Sequence, residues 1–153
     1  MADKSGKKKV VLASGVFDLL HLGHVRFLEE AKKAGGKNAE LIVVVARDST
    51  VEKMKGKKPI MPEMERCLLV EALKVVDKAV LGYERLGIGE VIRDLKPDII
   101  ALGYDQEEMA TQVQNYLREH ESKIKLVRIG KFGQNTLDSS SKIKQKIINK
   151  LSD

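Results

Sequence analysis

A chain of 153 residues with 42% hydrophobic and 33% charged side chains is long enough to bury a proper core and is expected to be one domain. Its one cysteine, Cys67, excludes an internal disulfide and any multi-cysteine zinc site, and no apolar run reaches the length of about 18 residues that spans a membrane. The net charge of +6 is modest, and Lys4, Lys7, Lys8 and Lys9 against Asp3 place half of it in the first nine residues.

Residues 1–8 are expected to be a basic flexible arm, and residues 9–153 one domain. The charges of MADKSGKKKV precede no hydrophobic stretch, so neither a signal peptide nor a membrane anchor is expected, and the expected location is cytoplasmic. No basic stripe with interleaved aromatics follows the arm, which speaks against nucleic acid; a mildly positive chain suits a small anionic substrate. The first strand is KVVLAS (9–14), followed by a helix from Leu22 to Ala34 with Val25, Leu28 and Ala31 at helical spacing. ELIVVVA (40–46) is the second strand. Pro62, with Glu63 and Glu65 in the first turn, opens the next helix, and Cys67 falls in its apolar stretch RCLLVEALKVV as a buried small hydrophobe. DKAVLG (77–82) follows, then a helix from Ile88 to Leu95 closed by Lys96-Pro97. DIIALG (98–103), a helix from Gln106 to His120, IKLVRI (124–129) and a helix from Ser141 to Leu151 complete the chain. Three strands are unbroken Val/Ile/Leu/Ala runs, as expected when both faces are covered, and alternation with helices predicts an α/β fold on a mostly parallel five-stranded sheet.

In such open sheets ligands bind beyond the carboxyl ends of the strands. The first such end reads SGVFDLLHLGHVRFLEEA from Ser14 to Ala31, with His21 and His24 around Gly23. No GxGxxG follows a strand and no GxxxxGK[ST] is present, while the glycines of GYERLGIG read as turns. Three roles suit the histidines. A metal site needs a third ligand, for which the sequence offers only the distant His120 or Asp18. Local capping or packing is the plain alternative. A phosphate site has the physics of a helix N-terminus behind it: free N–H groups, a positive dipole end and two directed donors, with Gly23 leaving room for approach to the backbone.

GVFDLLHLGH resembles the GxFDxxHxGH signature of the cytidylyltransferase-like nucleotidyltransferases. That resemblance implies a single Rossmann-like domain in which a phosphate of one substrate attacks the α-phosphorus of a nucleoside triphosphate and pyrophosphate leaves. It implies that His21 and His24 contact the triphosphate and stabilise the transition state, with Mg²⁺ entering as the metal–nucleotide complex and no metal site built by the protein. Val16, Phe17, Asp18 and Gly23 fall in the nucleotide-binding turn; many members carry Thr where this chain has Val16. VARDSTVEKMKGKKPIMPEMER is similar to the segment in which a basic loop precedes a helix bearing an arginine. Lys57 is then a catalytic cation, and Lys55, Lys58 and Arg66 bind the acceptor phosphate. DIIALGYDQ resembles the strand end that lines the nucleotide pocket, giving Gly103 a close approach to the ligand and Asp105 the ribose, base or magnesium shell. DSSSKIKQKI resembles the start of the last helix, where Ser139, Ser140 and Ser141 receive the triphosphate as well as capping the helix. Within the family, the segments around VARDST and LKPDIIALGYDQ look most like the small archaeal FAD synthases, which transfer AMP from ATP onto FMN. Glycerol-3-phosphate cytidylyltransferases, which use CTP, share the HxGH and arginine helix, and a non-catalytic nucleotide-binding module is the remaining alternative. The archaeal enzymes carry cysteines where this chain has GKFGQNTLDSSS, so thiol-dependent behaviour does not carry over. Phe132 is the candidate stacking platform for a flavin ring, and a homodimer is a family expectation.

Overall fold

The computed structural model describes residues 7–83, 87–131 and 137–152. Five strands, β1 (Val10–Gly15), β2 (Glu40–Val45), β3 (Lys78–Leu81), β4 (Ile99–Gly103) and β5 (Lys125–Ile129), form one sheet in the order β3-β2-β1-β4-β5. Every pairing is parallel. The six helices are α1 (Leu22–Ala34), α2 (Asp48–Lys55), α3 (Glu63–Glu71), α4 (Ile88–Leu95), α5 (Glu107–Glu119) and α6 (Ser140–Leu151).

The unbroken apolar runs have the cause anticipated for them. Successive strand residues point to opposite faces, and here both faces are covered. Val11, Ala13, Leu41, Val43, Ile99 and Ala101 pack with Leu28 and Ala31 of α1 and Val70 of α3. Leu12, Ile42, Ile100 and Leu102 pack with Val91 and Ile92 of α4 and with Ala110, Val113 and Leu117 of α5. Strand order runs outward from β1 to β2 and β3 on one side, and to β4 and β5 on the other. The reversal therefore falls between β1 and β4, where open α/β sheets place their ligands.

Strand and helix positions agree with the sequence pattern to within a residue or so, with one omission. The stretch read as a basic loop contains α2, so Lys55 is the last residue of a helix, and the loop proper is residues 56–62. The stop signal is in the chain: Lys53 and Lys55 occupy the last turn and Gly56 follows at φ 78, the left-handed position that favours glycine. Cys67 is half-buried, packed against the core rather than inside it. Among the described residues no helix is long and apolar enough to cross a membrane. Most of the expected basic arm, residues 1–6, lies outside the described residues.

Candidate active site

Between the end of β1 and the start of α1 the chain makes a turn that its residue types resist. Phe17 and Leu19 sit at φ 56 and φ 50, a region non-glycine residues seldom adopt. The surroundings hold it there. The Gly15 carbonyl accepts the Ala46 N–H at 2.9 Å, and the Val16 carbonyl accepts Arg66 Nη1 at 2.7 Å. The Asp18 carboxylate, 5% exposed, accepts the N–H groups of Ile60 and Met61, each at 2.9 Å, and Lys144 Nζ lies 3.7 Å away. The Asp18 carbonyl accepts the Ser140 hydroxyl. Phe17 folds back beneath Gly15, where a Cβ would come within 2.9 Å of its ring, and is 3% exposed.

The turn delivers the two histidines as a stacked pair, with ring centroids 3.7 Å apart and an interplanar angle of 23°. The His21 N–H donates to His24 Nδ1 at 3.3 Å, which leaves the proton of a neutral His24 ring on Nε2. Burial first, and then the charge of His21, pull the His24 pKa down to about 4 against a weaker upward effect of Asp18. Burial also lowers His21, opposed by Asp138. Both rings are thus neutral donors at pH 7. Phe17 backs His24 with a tilted ring at 5.4 Å. His21 Nδ1 is enclosed with no hydrogen-bond partner among the described residues, an orphaned polar atom of the kind that marks a functional site.

Gly23 is needed for close packing: a Cβ there would meet His21 Nδ1 at 2.9 Å and the Asp138 carbonyl at 3.0 Å. The room it gives is thus taken by the imidazole and by the chain entering α6. Asp138 holds Lys142 at 2.6 Å and lies 3.6 Å from Lys131. Two helix N-termini, those of α1 and α6, consequently stand side by side, each a source of unpaired N–H groups and positive dipole.

The remaining site residues fall into two groups. Lys55, Lys57 and Lys58 are exposed, with no salt bridge among the described residues, and Lys57 and Lys58 lie just ahead of the Ile60–Met61 anchor on Asp18. Asp105 is exposed beyond β4, and the Ser141 hydroxyl has no partner among the described residues. Others are engaged within the protein. Arg66 was expected at an acceptor phosphate, yet it is 0% exposed. Its Nε donates to the Met61 carbonyl at 2.9 Å, Nη1 to Val16, and Nη2 to Asp48 Oδ1 at 2.7 Å, so its fork grips protein groups. Phe17 and Asp18 are buried, and Val16 offers its carbonyl to Arg66. The Ser139 hydroxyl caps α6 by accepting the Lys142 N–H at 3.2 Å, and that of Ser140 is held by Asp18. Gly103 is buried, with its N–H on Gln106 Oε1 and its carbonyl on Arg128 Nη2, and a Cβ there would meet Asp105 Oδ1 at 3.0 Å, so it is enclosed by its neighbours. Phe132 lies outside the described residues. The sequence pattern did not single out Asp48, Gln106, Arg128, Asp138 or Lys144. Each meets partners that only the fold brings near, as with Gln106 and Ser14, 92 positions apart.

An open parallel sheet with its strand order reversing at β1, and a histidine-bearing turn opening onto that reversal, define a Rossmann-type α/β protein of the HxGH class. Residues 12–146 match the cytidylyltransferase-like family, and the chain belongs to it. It is 48% identical over 143 residues to a protein of Aciduliprofundum boonei named FAD synthase, covering 94% of this chain and 93% of that one. A FAD synthase of Methanopyrus kandleri is 46% identical over 140 residues, covering 92% of each. Among solved structures, one described as the lipopolysaccharide core biosynthesis protein from Thermoplasma volcanium superposes with a TM-score of 0.74 at 46% identity, covering 83% of this chain and all of that one.

Proposed function

We propose that the protein is an FMN adenylyltransferase, forming FAD and pyrophosphate from ATP and FMN in one domain over residues 9–153. The observation that carries this is near-full-length similarity to proteins named FAD synthase, in a chain that keeps the histidine turn. A phosphate oxygen of FMN attacks the α-phosphorus in line as the bond to the bridging oxygen of pyrophosphate breaks. The attacking phosphate is already an anion, so no general base is required, and catalysis reduces to positioning and charge stabilisation.

His21 and His24 suit that task as neutral N–H donors: they hydrogen-bond to oxygens that gain charge in the transition state and need neither give up nor accept a proton. The adjoining N-termini of α1 and α6, with the Ser141 hydroxyl, receive the triphosphate. Lys57 follows the phosphoryl oxygens as a point charge on a flexible stem. With Arg66 enclosed, the acceptor phosphate falls to Lys55 and Lys58. Asp105, beyond β4, is left for the ribose. Among the described residues no group of three or more His, Cys, Asp or Glu is gathered to hold a metal ion. Magnesium would enter with the nucleotide's phosphates, whose charge it would neutralise.

A crossed assay tests the assignment. ATP or CTP is incubated with FMN, glycerol 3-phosphate or phosphopantetheine, and pyrophosphate release is followed. FAD formation from ATP and FMN alone is the expected result. Turnover of CTP with glycerol 3-phosphate, and none with FMN, would replace the substrate pair and keep the reaction class. No release with any pair would leave a nucleotide-binding module.

A further inference from the structure

The two central strands part company before they end. The β1–β4 ladder runs from Val11↔Ile99 to Ala13↔Ala101 and stops there. On their outer sides both strands stay paired, β1 with β2 as far as Gly15↔Val45 and β4 with β5 as far as Gly103↔Ile129. The opening is thus local to the β1–β4 seam, and it lies at the switch point where the nucleotide is expected.

One side chain fills that seam. The Gly103 N–H donates to Gln106 Oε1 at 2.8 Å, and Gln106 Nε2 donates to the Ser14 carbonyl at 3.1 Å. This N–H and this carbonyl are the donor and acceptor that the next rung of the ladder, at the same register, would join directly. A direct rung would hold them about 2.9 Å apart; an amide spliced between them forces them well beyond that. The partners also fix which way the amide points, because an N–H can face only its oxygen and a carbonyl only its NH₂.

Gln106 is itself held firmly. It is the N-cap residue of α5, its own N–H donates to the Gly103 carbonyl at 3.2 Å, and its carbonyl accepts the Ala110 N–H at 2.9 Å. From the opposite side Arg128 donates to the Gly103 and Tyr104 carbonyls at 3.1 and 3.3 Å, and holds Glu107 at 2.8 Å. The end of β4 is therefore gripped between β5 and the amide.

We propose that Gln106 is a wedge: its amide replaces one rung of the β1–β4 ladder and holds the crevice open to the width that a nucleotide base requires. It is a positioning residue for the nucleoside triphosphate, and the proposal rests on the nucleotidyltransferase assignment above. A residue that merely glued the fold together would weaken it when removed. A wedge behaves otherwise, because without it Gly103 N–H and Ser14 carbonyl can pair with each other. Both backbone groups remain satisfied, and only the crevice is lost.

The test is Gln106→Ala, read by calorimetric titration with ATP, by thermal denaturation and by FAD-forming kinetics. The expected result is ATP affinity weakened about tenfold or more, the scale of one or two lost favourable contacts. KM for ATP should rise in parallel, KM for FMN should stay within about twofold, and the melting temperature should be unchanged or higher. ATP affinity within about twofold of wild type would overturn the wedge, and so would a variant that melts well below wild type or does not fold. Failure of the wild-type protein to bind ATP would instead refute the assignment of the nucleotide, and the same titration with CTP would then decide whether the wedge serves another base.

Discussion

Replacing Arg66 by Lys separates two accounts of the same residue. Similarity to the family implies an arginine on an acceptor phosphate; the structure shows a guanidinium that is 0% exposed and tied to three protein groups. Its donors go in three directions, to Met61 at 2.9 Å, Val16 at 2.7 Å and Asp48 at 2.7 Å. An ammonium at the end of a straight stem keeps the charge beside Asp48 but cannot reach both carbonyls. One or two buried carbonyls are then left unpaired, at about 1–3 kcal/mol each. For a chain of this size, each kcal/mol lowers the melting temperature by about 2–4 °C, so Arg66→Lys should lower it by about 2–24 °C. KM for FMN, measured at a temperature where the variant is folded, should stay within about twofold of wild type. Circular dichroism melts and FMN saturation curves give both quantities. An unchanged melting temperature with a tenfold rise in KM for FMN would refute the enclosed role and return Arg66 to the acceptor phosphate.

His21→Ala and His24→Ala should each lower kcat by about 10²–10³-fold, the scale of losing one directed donor to developing charge, with ATP affinity changed by about threefold at most; calorimetric titration and initial rates separate the two. The His24 pKa of about 4 also makes a stability prediction. The unfolded chain takes up the His24 proton near pH 6.5 and the folded chain only near 4, so stability is greatest above 6.5 and falls as the pH drops from 6.5 to 4, by about 3 kcal/mol in all. Urea unfolding at pH 7, 5.5 and 4.5 should show this fall in the wild type and a much shallower one in His24→Gln, whose side chain does not titrate; equal slopes would show that His24 is not the group responsible.

What the sequence disclosed and what it hid divide along a physical line. Periodicity is local, so runs such as ELIVVV and the spacing of Val25, Leu28 and Ala31 placed the strands and most helices. The histidine turn was legible for the same reason, since residues close in sequence carry it. α2 is hard to see in the sequence because it spans 8 residues and buries only Val51, too little for a periodic apolar face, although Gly56 at φ 78 closes it in the usual way. Long-range partnerships were hidden. Asp18 looks like a nucleotide contact until Ile60 and Met61 are seen to donate to it across 42 and 43 positions. The serines of DSSSKI look equivalent, yet one caps α6, one is held by Asp18, and only Ser141 has its hydroxyl uncommitted among the described residues.

Asp18 shows how the site proposed here for a triphosphate can keep a buried carboxylate at its centre. An unpaired negative charge there would repel the triphosphate and would itself be expensive to bury. Asp18 escapes both difficulties because its two oxygens accept two consecutive N–H groups, with Lys144 Nζ 3.7 Å away. What that arrangement provides is placement. The N–H groups belong to the loop that carries Lys57 and Lys58, and the Asp18 carbonyl holds Ser140 at the start of α6. One residue of the histidine turn thus sets the starting points of both the lysine loop and the second helix N-terminus. The left-handed strain at Phe17 and Leu19 is what turns Asp18 inward to make these connections, and Arg66 on the Val16 carbonyl keeps the turn from relaxing. A buried anion, held by the backbone it positions, is in this way the part of the site that brings its cations together.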